Sequence, residues 1–95
     1  MTNKTIHYVA GDTNPPLALN LNMDVTGASI KLVVDYPTKL EKSATIMAAA
    51  TGDLEVHWES GDLVAGKHAC QIEITDNTGK VQTIGDMYLQ VEPKI

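Results

Sequence analysis

The chain has 95 residues, with 12 Asp and Glu against 7 Lys and Arg, and a formal net charge of -5 at pH 7. That length suits one domain, 1-95, near the lower end of the usual range yet able to fold without disulfide or metal staples. The scattered cations and acidic balance argue against nucleic acid, which needs clustered Lys and Arg, and against an anionic membrane surface.

Regularly spaced apolar residues, 43% of the chain, mark a globular domain and not a disordered one. No run approaches the roughly 18 apolar residues of a membrane span. The opening Met1-Thr2-Asn3-Lys4-Thr5 lacks the apolar run of a signal peptide, so synthesis and retention in a cytoplasm are expected. Cys70 is the one cysteine, so no disulfide framework is expected, and its place on the inward parity of a strand reads as a buried hydrophobe.

In chain order, Ile6, Tyr8 and Ala10 alternate with His7 and Val9, a short strand that ends at Gly11-Asp12-Thr13-Asn14-Pro15-Pro16. Two consecutive prolines remove two backbone donors, so this segment reads as a crossing between strands. Leu17, Leu19, Leu21 and Met23 then recur at period two, the clearest half-buried strand. After a turn over Asp24 to Gly27, Ile30, Leu32, Val34 and Tyr36 repeat the pattern until Pro37. Thr38 to Ala50 has good helix propensity in part. However, Ser43, Thr45 and Ile46 favour strand, and Thr51-Gly52-Asp53 reads as a hairpin turn, so Lys42 to Ala50 is predicted as a strand paired to Leu54 to Trp58.

Gly66 to Glu92 reads as one long hairpin. Cys70, Ile72 and Ile74 face one way, Asp76-Asn77-Thr78-Gly79 supplies the turn, and Met87, Leu89 and Val91 alternate on the return. Such a hairpin is barely stable alone and needs a second layer. About seven short strands spaced roughly ten residues apart predict an all-β, two-sheet antiparallel sandwich.

Candidate chemistry is sparse. His7, His57 and His68 are far apart in sequence, and no HExxH, CxxC or His pair at ligand spacing occurs, so no metal or other cofactor is expected. Asp12, Asp24, Asp53, Asp62, Asp76 and Asp86 fall in or beside predicted turns, but the calcium-loop spacing is absent and Asp also serves turns by local hydrogen bonding. Neither a phosphate cradle nor a GxSxG nucleophile motif is present, and no enzyme activity is expected. Trp58, at the last inward position of its strand, reads as a core residue, with stacking on a sugar ring as the alternative.

Ala10-Gly11-Asp12-Thr13-Asn14-Pro15-Pro16-Leu17 is followed by Val25-Thr26-Gly27-Ala28-Ser29-Ile30-Lys31-Leu32, Thr51-Gly52-Asp53-Leu54, Ala65-Gly66-Lys67-His68 and Gly79-Lys80-Val81-Gln82-Thr83-Ile84. This order resembles the small immunoglobulin-like domains of tailed-bacteriophage virion proteins, including the N-terminal domain of the siphophage upper baseplate protein, over nearly the whole chain. The chain departs from that pattern at His68 and Cys70, where an aromatic is usual, and at the aliphatic Leu32-Val33-Val34. The resemblance implies an immunoglobulin-like sandwich and a structural role in a virion assembled in the host cytoplasm, at the tail, baseplate, neck or head surface. Its partners would be other virion proteins and further copies of the chain, in a trimer or hexamer.

Exposed strand edges are the natural contact in such a protein. Ile6, His7, Tyr8, Val9 and Ala10 form the candidate subunit-contact strand. The alternative function is a carbohydrate-binding or host-surface adhesion module, with Trp58, Tyr8, Tyr36 or Tyr88 as stacking platforms.

Overall fold

The protein is described by a computed structural model over residues 4–95; the first three residues of the opening segment lie outside the described range. The described residues form eight strands: β1 (Lys4–Val9), β2 (Leu17–Asn20), β3 (Ser29–Val34), β4 (Leu40–Ser43), β5 (Thr45–Ala48), β6 (Asp53–Val56), β7 (Gly66–Thr75) and β8 (Val81–Glu92). They form a five-stranded sheet in the order β1-β8-β7-β3-β4 and a three-stranded sheet in the order β2-β6-β5. The architecture is an all-β sandwich of two sheets, as expected.

Two details correct the sequence reading. Among the described residues there are eight strands where about seven were expected, and the larger sheet is mixed and not wholly antiparallel, because β1 runs parallel to β8 while every other pair is antiparallel. The extra strand comes from Lys42 to Ala50, which is not one strand paired to β6. Its first part belongs to β4 and pairs with β3, with Lys42 opposite Leu32. Only Thr45 onward pairs with β6, where Thr45 faces Glu55 and Ile46 faces Leu54. The chain changes sheets at Ala44, whose N–H still donates to Ile30 O at 2.9 Å. Leu40, Ala44 and Ile46 all pack against the core, so one unbroken period of two runs through the crossing and hides it.

The hairpin of β7 and β8 forms as read, closed by the Asp76 to Gly79 turn, in which Gly79 N–H donates to Asp76 O and Asp76 N–H to Lys80 O. Its ladder contains a bulge. Cys70 faces Met87 and Ile72 faces Ile84, so Gly85 and Asp86 together oppose Gln71. The extra residue reverses the parity of β8, which is why the inward residues change from Ile84 to Met87. Asp86 therefore lies within β8 and not in a turn.

The two sheets bury Leu17, Leu19, Leu54 and Val56 from one side against Ile30, Leu32, Val34, Cys70, Ile72, Met87, Leu89 and Val91 from the other. Each such side chain contributes roughly 1.5–3 kcal/mol when fully withdrawn from water. Val25, Trp58 and Leu63, from the connecting loops, complete the same core.

The β5–β6 turn depends on Gly52. Its φ of +76° lies in the left-handed region, and a Cβ there would sit 2.7 Å from Met23 O, a backbone atom that cannot swing aside. The close approach exists because Gly52 O accepts from Leu21 N–H at 3.0 Å, which ties this turn to the end of β2. Gly52→Ala should lower the free energy of unfolding by about 2 kcal/mol or more from left-handed strain plus the clash. Urea denaturation checks this, and an unchanged midpoint would show that the turn relaxes freely. Gly61→Ala, with no atom within 4 Å of its Cβ position, isolates the strain alone.

Candidate functional site

β1 forms one edge of the larger sheet. It pairs with β8 in register from Lys4 opposite Met87 to Val9 opposite Glu92. Among the five residues of the candidate contact strand, Ile6 and Tyr8 face the core and are buried, His7 and Val9 face outward, and Ala10 lies just past the strand and is partly buried. The side chains of Ile6 and Tyr8 are thus anchors of the strand and unavailable to a partner. Tyr8 is held further by a hydrogen bond from its hydroxyl to Pro15 O at 2.7 Å, and burial raises its phenol pKa.

The backbone of β1 carries the accessible chemistry. Ala10 N–H donates to Glu92 O at 2.8 Å. In a parallel ladder both groups of one residue point to the same neighbour and alternate residues point to opposite sides. The even positions of β1 therefore face β8, and the N–H and C=O of Thr5 and His7 face the open edge. Val9 C=O also points away from β8 and is taken by Asp12 N–H at 3.2 Å. Thr5, which lay outside the predicted contact residues, belongs to the edge as much as His7 does. Missing it follows from a side-chain criterion: the alternation that marks Ile6 and Tyr8 as buried carries no information on which way backbone groups point.

The outward face beside this edge places Thr5 next to Tyr88 and His7 next to Gln90, with Lys67 beyond Gln90. Lys67 Nζ stands 4.8 Å from the centroid of the Tyr88 ring. This cation–π contact and the partial burial of Tyr88 leave one face of that ring covered.

Trp58 takes the core position and is 4% exposed, with its ring 5.5 Å from that of Tyr8 in an edge-to-face arrangement. A sugar-stacking role needs an open ring face, which Trp58 does not offer. Its Nε1 is buried without a hydrogen-bond partner among the described residues. Tyr36 is likewise engaged: its hydroxyl donates to Asp62 O at 2.7 Å and accepts from Val64 N–H at 3.3 Å, while its ring meets that of His68 edge-on at 4.5 Å. Burial raises the Tyr36 pKa.

The same loop is clamped from β4 by Lys42, whose Nζ lies 2.8 Å from Asp62 Oδ2 and 2.9 Å from Glu59 Oε1. Asp62 Oδ2 also accepts from Glu59 N–H at 2.8 Å. The Asp62 carboxylate, then Glu59, holds the Lys42 ammonium above its ordinary pKa, so the clamp stays charged. These groups secure the connection between β6 and β7 and do not line a cleft.

The three histidines do not converge. His7 is on β1, His57 follows β6 with Nε2 3.0 Å from Glu55 Oε1, and His68 contacts Val64 O at 3.0 Å. Among the described residues no three His, Cys, Asp or Glu side chains are grouped to hold a metal ion. Asp24 and Asp76 each fold back on their own turns: Asp24 Oδ1 accepts from Thr26 N–H and Oγ1, and Asp76 Oδ1 from Thr78 N–H, Thr78 Oγ1 and Lys80 N–H. Hydrogen bonding from the threonine hydroxyls first, then from the backbone, lowers both carboxyl pKa values.

Tyr36→Phe should cost about 1–2 kcal/mol of stability by leaving Val64 N–H and Asp62 O short of a partner. Tyr88→Phe should change it by less than about 0.5 kcal/mol, and guanidinium unfolding of both variants compares them. Burial raises the Cys70 thiol from 9.0 to about 11. The thiol should therefore resist a disulfide reagent at neutral pH until the protein unfolds. Because the folded value is the higher one, the stabilising effect is complete below pH 9 and fades as the pH rises toward 11, which alkaline unfolding curves of wild type and Cys70→Ala would reveal.

Compared with known protein families, curated proteins and solved structures, the chain matches none of them.

Proposed function

We propose that this chain is a non-enzymatic structural component of a tailed-phage virion, at the tail, baseplate, neck or head surface, which works by binding other virion proteins and copies of itself. The observation that carries the reading is the unpaired backbone edge of β1, fixed in place by the buried Ile6 and Tyr8 and open at Thr5 and His7. A rigid strand with free donors and acceptors suits protein contacts made by strand addition. The ordered series of turn and strand residues that resembles phage immunoglobulin-like domains supplies the biological setting.

The acidic net charge suits a subunit that stays soluble before assembly. The carbohydrate-binding alternative loses its main carrier with Trp58 in the core, and Tyr8 and Tyr36 are committed to internal hydrogen bonds.

Antibodies raised against the chain should detect it in intact tailed particles banded on a density gradient from cells that produce it. Detection confined to the soluble fractions, with particles free of the chain, would overturn the proposal.

A further inference from the structure

The four open edges of the sandwich are not equivalent. β2, β4 and β5 have four residues each, and each is blunted. Pro15 and Pro16 precede β2, charged Glu41 and Lys42 occupy β4, and the register of β5 breaks at Met47 between Ile46 and Ala48. Short length, proline, charge and bulges are the features that keep strand edges from pairing with other chains. β1 has six residues, with neither proline nor a break in its register with β8. It also lies in a stretch free of carboxylates, since all twelve Asp and Glu residues occur at position 12 or later; β2 and β5 lack carboxylates too, so length and the absence of a break are what set β1 apart.

We infer that two copies of the chain pair through β1, antiparallel about a two-fold axis at Ile6, to join their five-stranded sheets into one ten-stranded sheet. The inference rests on the proposed assembly role and names its contact. The register follows from the free backbone groups. Val9 C=O is already taken by Asp12 N–H, so the pairing that uses only unoccupied groups sets Thr5 of each copy opposite His7 of the other, which gives four hydrogen bonds. On the core side this register brings the two Ile6 side chains together, and on the outer face it opposes no like charges. A second copy is the fitting occupant because two chains of charge -5 repel along most approaches, whereas the β1 strips meet without facing carboxylates. An isologous contact of this kind closes on itself, unlike a β1-to-β4 arrangement, which would propagate as an open fibre.

The test is sedimentation equilibrium of the full chain together with amide hydrogen exchange. Wild type should show a concentration-dependent dimer in which the Thr5 and His7 amides become protected, while those of Ile6 and Tyr8 are protected in monomer and dimer alike. His7→Pro removes an N–H that faces away from β8, so the internal ladder survives while the contact is blocked. The double substitution Thr5→Lys with His7→Lys keeps the backbone intact and creates like-charged pairs across the dimer. Each variant should weaken dimerisation at least tenfold, about 1.4 kcal/mol. A wild-type chain that stays monomeric up to about 1 mM, weaker than a 4 kcal/mol association, overturns the inference. So does a dimer unaffected by both variants, although that result leaves self-assembly by another surface intact. A β1-dependent dimer from a chain missing from phage particles would instead sustain the contact and overturn the virion reading.

Discussion

The ladder between β7 and β8 is the constraint on which the rest of the larger sheet depends. β3 takes its register from β7, with Leu32 opposite Ile72, and β4 takes its own from β3. On the other side β1 takes its register from β8. An error of one residue in the hairpin would turn Cys70, Ile72, Ile74 and their partners out toward water. The bulge at Gly85 and Asp86 shows how closely the two strands must be matched: without the extra residue, the inward set ending at Ile84 would continue to Asp86 and Tyr88 and would leave Met87, Leu89 and Val91 outside.

Much of this arrangement was legible in the sequence because it is written in period-two alternation. The hairpin, the core place of Trp58, the inward parity of Cys70 and the presence of β2 and β3 follow from which residues recur at every second position, although β2 stops at Asn20 and not Met23, and β3 at Val34 and not Tyr36. Alternation says which face a residue takes but not which strand lies beside it. That is why the crossing at Ala44 was hidden: Leu40 to Ile46 keeps one phase while its hydrogen-bond partner changes from β3 to β6. It is also why the parallel pairing of β1 with β8 was missed, since strands 80 residues apart carry no turn signal to relate them. The clamp of Lys42 on Glu59 and Asp62 was illegible for the same reason, as was the bond from Tyr36 to Asp62; both join groups about 20 residues apart through the folded shape alone.

The candidate contact strand was found by position and needed correction by chemistry. Side-chain reasoning picked out Ile6 to Ala10, yet the fold commits Ile6 and Tyr8 to the core and leaves Ala10 beyond the strand. What remains for a partner is mainly backbone, shared by Thr5 and His7. A backbone edge confers little sequence specificity of its own. Specificity must then come from the outward side chains beside the ladder, and in β1 these are Thr5, His7 and Val9, none of them a carboxylate.

The contrast among the edges bears on how the protein stays soluble. An open strand with neither proline nor bulge is a hazard in an isolated domain, because any extended chain can add to it. Three of the four edges here are shortened and interrupted, so the fold already limits uncontrolled pairing wherever its sequence allows. β1 escapes that treatment. Its inward residues are needed for the core, and a charge or proline at Ile6 or Tyr8 would damage the packing around Trp58. Thr5 and His7, by contrast, face outward and could carry a charge at no expense to the core. That neither position holds a carboxylate or a lysine is a feature of β1 that burial alone does not explain, and one that the proposed pairing of β1 would explain.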